Sequence, residues 1–438
     1  MRLFVALQLI ILYIRRLISP LVYLATPWIP ALKKRFDFEN LNQKNTHSRS
    51  FLLEGIEADV AFEISSEGEW EQMGVFIQDL LRKGKKIEIM ISSDSLEFKM
   101  VHLYREFPDH LRFLRLPYLS PWMIEKWISA KVLCFCRYDF LPELLALKAQ
   151  RFIKFILFSA TLKNKQDALK GLFSGWYLRE LLRLFDYIFC ATKSDRDLMA
   201  SIVGKDKVDF FEFRHQQIII RQRDSLKALE LAGVEREILE KIQSFPISNR
   251  IILGSCWPNE MEIFKDQQLC QRIRNGEVLV ALAPHKLNDH FLSELKSALV
   301  QNSVDLPVSH LKRGTRGENL QKGSVWLLEY RGILCEMYQY FGTCYVGGGF
   351  GRSIHSVLEP FWAGCHILIG PKTHRSTEYD YVLEFAREDI KIVPQLSEIS
   401  KYLVPHTSRV SRAQLAAQIE RQSEQTLRRL MHFLEEHC

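Results

Sequence analysis

The sequence predicts an α/β protein built from two Rossmann-like halves behind an apolar, basic N-terminal segment. Three observations carry this. Short apolar runs alternate with amphipathic helical stretches in two successive series, with a charged, strandless stretch between them. The 438 residues are enough for two or three domains of ~100–200 residues each. A composition of 47% hydrophobic and 25% charged residues is that of a globular chain, which excludes wholesale disorder and fibrous repeats.

Residues 1–45 come first. Leu3–Ile14 is an apolar run broken only by Gln8; Arg15 and Arg16 follow, then Leu17–Leu32 with Pro20, Pro27 and Pro30. A secretory signal places its charge ahead of one short apolar block, whereas here the arginines sit in the middle. A spanning helix needs ~20 consecutive apolar residues, and the arginine pair and the prolines count against one. The pattern fits a membrane anchor lying in the bilayer surface, with Arg15, Arg16 and Lys33-Lys34-Arg35 meeting anionic headgroups. A helical hairpin buried in a soluble domain is the competing reading.

The first series, residues 46–225, has strand candidates Val60–Ser65, Lys86–Ile91, Leu111–Leu116, Val132–Cys136, Ile153–Phe158 and Tyr187–Ala191. Helical stretches such as Glu69–Lys83 and Ser174–Phe185 lie between them. The apolar run in each has the length expected of a parallel strand covered on both faces. Residues 226–249 read as a charged helical linker. The second series, 250–410, has strands Arg250–Gly254, Val278–Ala283, Val325–Leu328, Cys344–Val346, His366–Ile369 and Ile390–Ile392. Residues 411–438 form a helical tail expected to pack back on the first half. Ligands of such sheets bind at the carboxyl ends of the strands, here expected in a cleft between the halves.

Charge narrows the partners. The formal net charge is +7, from 59 basic and 52 acidic residues. Residues 1–36 hold six of the bases and no acid, which leaves 53 bases against 52 acids in the remainder. A nearly neutral body argues against a nucleic-acid surface and for a membrane-facing N-terminus. Nine cysteines without CxxC pairs or zinc spacing point to free thiols in a reducing compartment, and no metal-binding motif is present.

Two segments carry candidate chemistry. Ser65-Ser66-Glu67-Gly68-Glu69 turns the chain out of the first strand and places Glu69 in the first turn of a helix. There a carboxylate complements the helix dipole or serves as a general base. In the second half, Gly347-Gly348-Gly349-Phe350-Gly351-Arg352 leads from a strand toward a helix whose first turn is expected to contain His355, with Glu359 one turn on. Glycines and a helix N-terminus suit a phosphate, and Glu359 suits a ribose diol. Gly254-Ser255 with Glu260, His285-Lys286, and Lys372 with Arg375 end neighbouring strands; each also reads as a plain surface loop.

Taken in order, these segments resemble the 3-deoxy-D-manno-octulosonic acid (Kdo) transferases of lipopolysaccharide synthesis, glycosyltransferases of the GT-B fold. Val346–Phe350, His355–Pro360 and Gly370-Pro371 resemble that family's Val-Gly-Gly-Ser loop, its Gly-His-Asn-Pro-Leu-Glu-Pro run and the Gly-Pro after it. Ser66-Glu67-Gly68-Glu69 resembles Ser-Val-Gly-Glu, whose Glu is the family's catalytic base. Leu253–Glu260 resembles its Gly-Ser-Thr-x-x-Gly-Glu segment, and Arg137–Pro142 its Glu-Thr-Glu-Leu-Trp-Pro, where Asp139 keeps a carboxylate. The chain departs from the pattern at Glu63 (usually His), Ile354 (Gly), Ser356 (Asn), His285 (Arg) and Arg375 (Asn).

The resemblance implies an inverting, metal-independent GT-B enzyme without a cofactor. It would move Kdo from CMP-Kdo to a lipid A precursor at the cytoplasmic face of a bacterial inner membrane. Glu69 would be the base, and Ser66, Gly68 and Asp139 would face the acceptor. The donor would be held by Gly254, Ser255, Glu260, His285, Lys286, Gly347, Gly348, Gly349, Arg352, His355, Glu359, Lys372 and Arg375. A transferase with another nucleotide sugar or acceptor, and a catalytically silent membrane-bound relative, are the alternatives.

Overall fold

The computed structural model describes residues 2–44, 46–119, 127–137, 140–151, 153–163, 166–302, 306–403 and 411–437. They form two compact units: residues 1–217 with 420–438, and residues 218–419. The chain passes from the first to the second within the helix Phe213–Arg223 and returns within Arg412–His437.

The first unit holds strands β1 (Val60–Ile64), β2 (Ile87–Ile91), β3 (Leu111–Arg115), β4 (Val132–Cys136), β5 (Lys154–Ala160), β6 (Tyr187–Cys190) and β7 (Val208–Phe210). They pair in parallel in the order β3-β2-β1-β4-β5-β6-β7. Alternate side chains feed two cores, as the pleat requires. Phe62, Ile89 and Phe158 pack on one face with Trp70, Met73 and Phe76 of the helix Glu67–Arg82 and with Leu430 and Leu434 of the C-terminal helix. Ala61, Leu133 and Phe155 pack on the other with Leu144, Leu181 and Phe4.

The N-terminal segment is one unbroken helix, Arg2–Ala25, through Pro20, followed by a second, Pro30–Lys44. The first is long and apolar enough to cross a membrane by length and composition alone. Several of the cations expected at lipid headgroups are engaged with protein instead. Arg15 pairs with the buried Glu143, Arg35 binds Glu39 and the carbonyls of Ser92 and Leu116, and Lys34 pairs with Asp94.

The second unit holds β8 (Arg250–Cys256), β9 (Leu279–Pro284), β10 (Val308–Leu311), β11 (Val325–Leu328), β12 (Thr343–Val346), β13 (His366–Ile369) and β14 (Ile390–Ile392). This sheet is also parallel, in the order β10-β11-β9-β8-β12-β13-β14. The stretch 226–249, expected as a linker, folds as helices Ser225–Leu231 and Arg236–Gln243, and its Leu229, Ile238 and Ile242 are buried in this unit's core. An amphipathic face buries too much apolar surface to stay a solvated connection. Two strands escaped the sequence reading, β7 and β10. Both are short edge strands carrying polar residues, so neither gives an unbroken apolar run.

Candidate functional site

In each sheet the winding direction reverses at one point, and there the chain leaves adjacent strands toward opposite flanks, opening room at their carboxyl ends. In the first unit this point lies between β1 and β4; in the second it lies between β8 and β12. The candidate residues gather at these two places.

In the first unit, Ser66 caps the helix Glu67–Arg82, its Oγ accepting the Glu69 N–H at 3.3 Å. Glu69 Oε2 reaches back to accept the Ser65 N–H at 2.6 Å and the Ser65 hydroxyl at 2.7 Å. This is a capping box with its return bond one residue upstream, and it fixes the carboxylate's rotamer. Ser66 and Gly68 are exposed on the same first turn. A Cβ on Gly68 would approach only Ser66 Oγ, at 3.9 Å, so open ground lies beside the carboxylate. Asp139 lies outside the described residues.

The end of β4 is ringed by acids that the sequence reading did not group. Burial, reinforced by Glu69, Glu212 and Glu63, pushes the Cys136 thiol far up, and its Sγ donates to Gln72 at 3.2 Å. Glu212 accepts the Ser159 hydroxyl at 3.1 Å. Arg137 and Ser159 adopt left-handed backbone, with φ of 59° and 51°, at the ends of β4 and β5. Such conformations cost ~1–3 kcal/mol each in a residue with a side chain and gather at functional sites. No local sequence signal marks them, because neither is Gly or Asn.

In the second unit the organising group is Glu260. It is fully buried; Oε1 accepts the Gly348 N–H at 2.7 Å and the Tyr345 hydroxyl at 2.9 Å, and Oε2 accepts the Trp257 N–H at 2.9 Å. Burial raises its pKa, and those three donors hold it down. The residue expected to bind the donor therefore ties the glycine loop to the turn after β8. The glycines serve close packing as well. A Cβ on Gly254 would lie 1.9 Å from the Tyr338 hydroxyl, and one on Gly349 would lie 2.6 Å from the Gly370 backbone. Gly348 has φ +92°.

The helix expected to begin near His355 begins at Leu358 instead, and it is five residues long. The amides before it bond across the chain: His355 N–H to Gly347 O at 3.0 Å, and Ile354 N–H to Lys372 O at 3.2 Å. These bonds hold the segment extended, and the Val357 N–H is taken by Glu378. A helix-dipole seat for phosphate at His355 is thereby replaced by side chains.

Those side chains line a cavity of about 490 Å³ formed by Trp257, Asn259, Gly348, Gly351, Arg352, Ser353 and His355. Trp257 donates its Nε1–H to His355 Nε2 at 2.9 Å. That bond assigns the proton of the neutral imidazole to Nδ1. His285 stacks on both rings, 4.6 Å from Trp257 and 4.3 Å from His355 between centroids. Burial, and then the neighbouring His285, lowers the His355 pKa to about 4; burial, and then Lys286, lowers that of His285. Lys286 Nζ lies 5.8 Å over the Trp257 ring, and Lys372 Nζ donates to Gly351 O at 2.6 Å. Arg352, Lys372 and Arg375 are exposed, while Glu359 is half-buried and its carbonyl accepts from Gln222 at 2.8 Å. A flat aromatic wall beside cationic side chains suits a planar ring attached to an anion. Trp257 and Asn259 were not singled out from sequence, although both lie in the turn between Ser255 and Glu260. Among the described residues, no group of three or more His, Cys, Asp or Glu could hold a metal ion.

Two parallel seven-stranded α/β units, with candidate sites at both winding reversals, define a GT-B-like fold. Two solved epimerase structures share that fold. UDP-GlcNAc 2-epimerase from Neisseria meningitidis, bound to UDP-GlcNAc, is 13% identical, with TM-score 0.52 over 78% of this chain and 90% of its own. UDP-N-acetylglucosamine 2-epimerase from Rickettsia bellii is 12% identical, with TM-score 0.52 over 86% and 97%. The C-terminal CMP-Kdo binding domain of WaaA from Acinetobacter baumannii is 16% identical, with TM-score 0.31 over 46% and 98%. No curated protein sequence matches the chain. Residues 31–212 match the family model Glycos_transf_N, described as 3-deoxy-D-manno-octulosonic-acid transferase (kdotransferase). Over those residues, fewer than half of the chain, the protein is similar to the Kdo transferases.

Proposed function

We propose that this protein transfers Kdo from CMP-Kdo to a hydroxyl of a lipid A precursor, with inversion, at the cytoplasmic face of a bacterial inner membrane. The observation that carries the reading is Glu69. It lies within the matched residues 31–212, at the carboxyl end of β1, on an open helix turn and in a rotamer fixed by Ser65. In this reading Glu69 takes the proton of the attacking hydroxyl, a role worth ~10²–10⁴ in rate. Inversion follows from a single in-line displacement.

The first unit serves the acceptor and the second the donor. The cytosine ring lies against the Trp257–His285–His355 wall, and the ribose diol meets Glu359. The departing CMP phosphate is met by Arg352, Lys286, Lys372 and Arg375 in place of a metal ion. His355 contributes a neutral Nδ1–H donor.

Mass spectrometry of the product from purified protein, CMP-Kdo and tetraacyl lipid A precursor tests the reading. An acceptor mass raised by one or more Kdo units, insensitive to chelator, is expected; no transfer would overturn it. A different nucleotide-sugar donor is the second reading, favoured by His285, which stacks in the wall at the family's Arg position. Thermal stabilisation by a UDP- or GDP-sugar, and not by CMP-Kdo, would select it.

A further inference from the structure

The helix Arg2–Ala25 has two unlike faces. Phe4, Gln8, Leu12 and Ser19 are buried on the domain. Polar ties run along that face: Arg15 pairs with Glu143 and donates to Tyr118 O at 3.2 Å, and the Ser19 hydroxyl donates to Leu119 O at 2.8 Å. Burial raises the Glu143 pKa, and Arg15 opposes the rise, so removing the helix would strand that carboxyl. The other face presents Leu17, Leu21 and Leu24 at spacings of four and three, 76%, 67% and 66% exposed, and Trp28, 78% exposed, follows in the turn beyond the helix. A helix fixed lengthwise to its domain and apolar outward cannot also cross a bilayer end to end.

A second element continues this surface. Phe4 meets Tyr177 edge-on at 4.9 Å and Trp176 at 6.1 Å, and Phe173 lies 5.8 Å from Trp176. Phe173 and Leu172 stand at the start of the helix Leu172–Arg183 and are 69% and 96% exposed. A leucine that leaves almost all of its surface in water gives the fold nothing, and two adjacent apolar side chains extending the Phe4 cluster form a patch that calls for an occupant. The occupant is identified by the surroundings. Arg15, Lys34 and Arg35 pair with the protein, while Lys33 stands exposed beyond the stripe in a segment of six bases and no acid, which matches an anionic lipid surface.

We infer that Leu172 and Phe173 insert into an anionic bilayer beside the outer stripe of the helix Arg2–Ala25, so that the protein rests on the membrane by two elements with that helix in the bilayer plane. This deepens the membrane placement of the proposed function and does not depend on the identity of the sugar donor.

The test uses the full chain and preformed phosphatidylglycerol–phosphatidylethanolamine vesicles. The double variant L172S/F173S should lose about tenfold in partition onto these vesicles while keeping its thermal midpoint. Phe173→Cys carrying a nitrobenzoxadiazole group should shift to the blue on vesicle addition and be quenched by shallow spin-labelled lipid. Leu3→Cys and Leu24→Cys carrying the same group should both be quenched by spin-labelled lipid confined to the outer leaflet. Unchanged partition of the double variant, an unshifted label at residue 173, or one helix end beyond reach of the outer-leaflet quencher would each overturn the inference. So would a dimer that L172S/F173S abolishes, which would assign the patch to a second copy of the chain. Vesicle binding without sugar transfer would overturn the proposed reaction and leave this inference standing.

Discussion

Glu69 and Glu260 occupy equivalent places in the two units. Each follows the strand beside its sheet's winding reversal, lies three residues past a cap, and turns Oε2 back onto an upstream backbone N–H. Their surroundings differ. Beside Glu260, β12 delivers the Tyr345 hydroxyl and the Gly348 amide, and the carboxylate is sealed at 0% exposure. Glu69 keeps 8% exposure beside the exposed Ser66 and Gly68. A shared backbone device thus yields a structural anchor in one unit and a candidate base in the other. What decides between them is the donors supplied by the neighbouring strand.

The largest expected effect tests the first half of this contrast. Glu69→Gln keeps the acceptor oxygen for Ser65 and so the helix cap, yet should lower transfer by ~10²–10⁴-fold with donor affinity unchanged, as read by product mass and calorimetry. Glu260→Ala should do the reverse. It strands the Gly348 amide and the Tyr345 hydroxyl and should cost about 3 kcal/mol in urea unfolding, with donor binding lost through a loosened loop. Transfer lost at full stability in Glu260→Ala would erase the distinction between the two carboxylates.

Trp257→Phe removes the Nε1–H that fixes the His355 tautomer and should weaken donor binding by about 1 kcal/mol, seen by titration calorimetry, with ¹⁵N shifts reporting a tautomer mixture. The pH dependence has a defined sign. His355 is depressed from its ordinary 6.5 to about 4, so the unfolded chain takes up the proton first. Its contribution to stability is therefore lost as pH falls from 6.5 toward 4. In the first unit, burial and then Arg214 depress the buried His215 to about 3, which extends that unit's window one pH unit lower. Acid titration of His355→Asn should show a shallower loss of stability between pH 6.5 and 4 and an unchanged one between 4 and 3. The smallest effects belong to Lys372→Ala and Arg375→Ala, exposed cations worth less than about 1 kcal/mol each and weaker in salt; a larger, salt-insensitive loss would place them in direct contact with the donor.

The alternation of strands was legible because buried parallel strands such as β4 and β11 are continuous apolar runs. The β1–Glu69 turn was legible because capping chemistry is local. The His355 helix was misplaced because glycines followed by polar residues look alike whether the next amides bond along the chain or across it. The role of Glu260 was hidden too, since its partners Tyr345 and Gly348 lie 85 and 88 residues away.

By itself the sequence determined the two α/β halves, the apolar N-terminal helix and the residue that heads the first candidate site, because periodicity, apolar runs and caps are written over a few neighbouring positions. Only the tertiary structure decided which carboxylate is sealed and which is open, that Trp257, His285 and His355 form one wall, and that Leu172 and Phe173 extend the outer face of the first helix. Those outcomes depend on which distant strands and helices meet, and long-range packing leaves no period in a sequence.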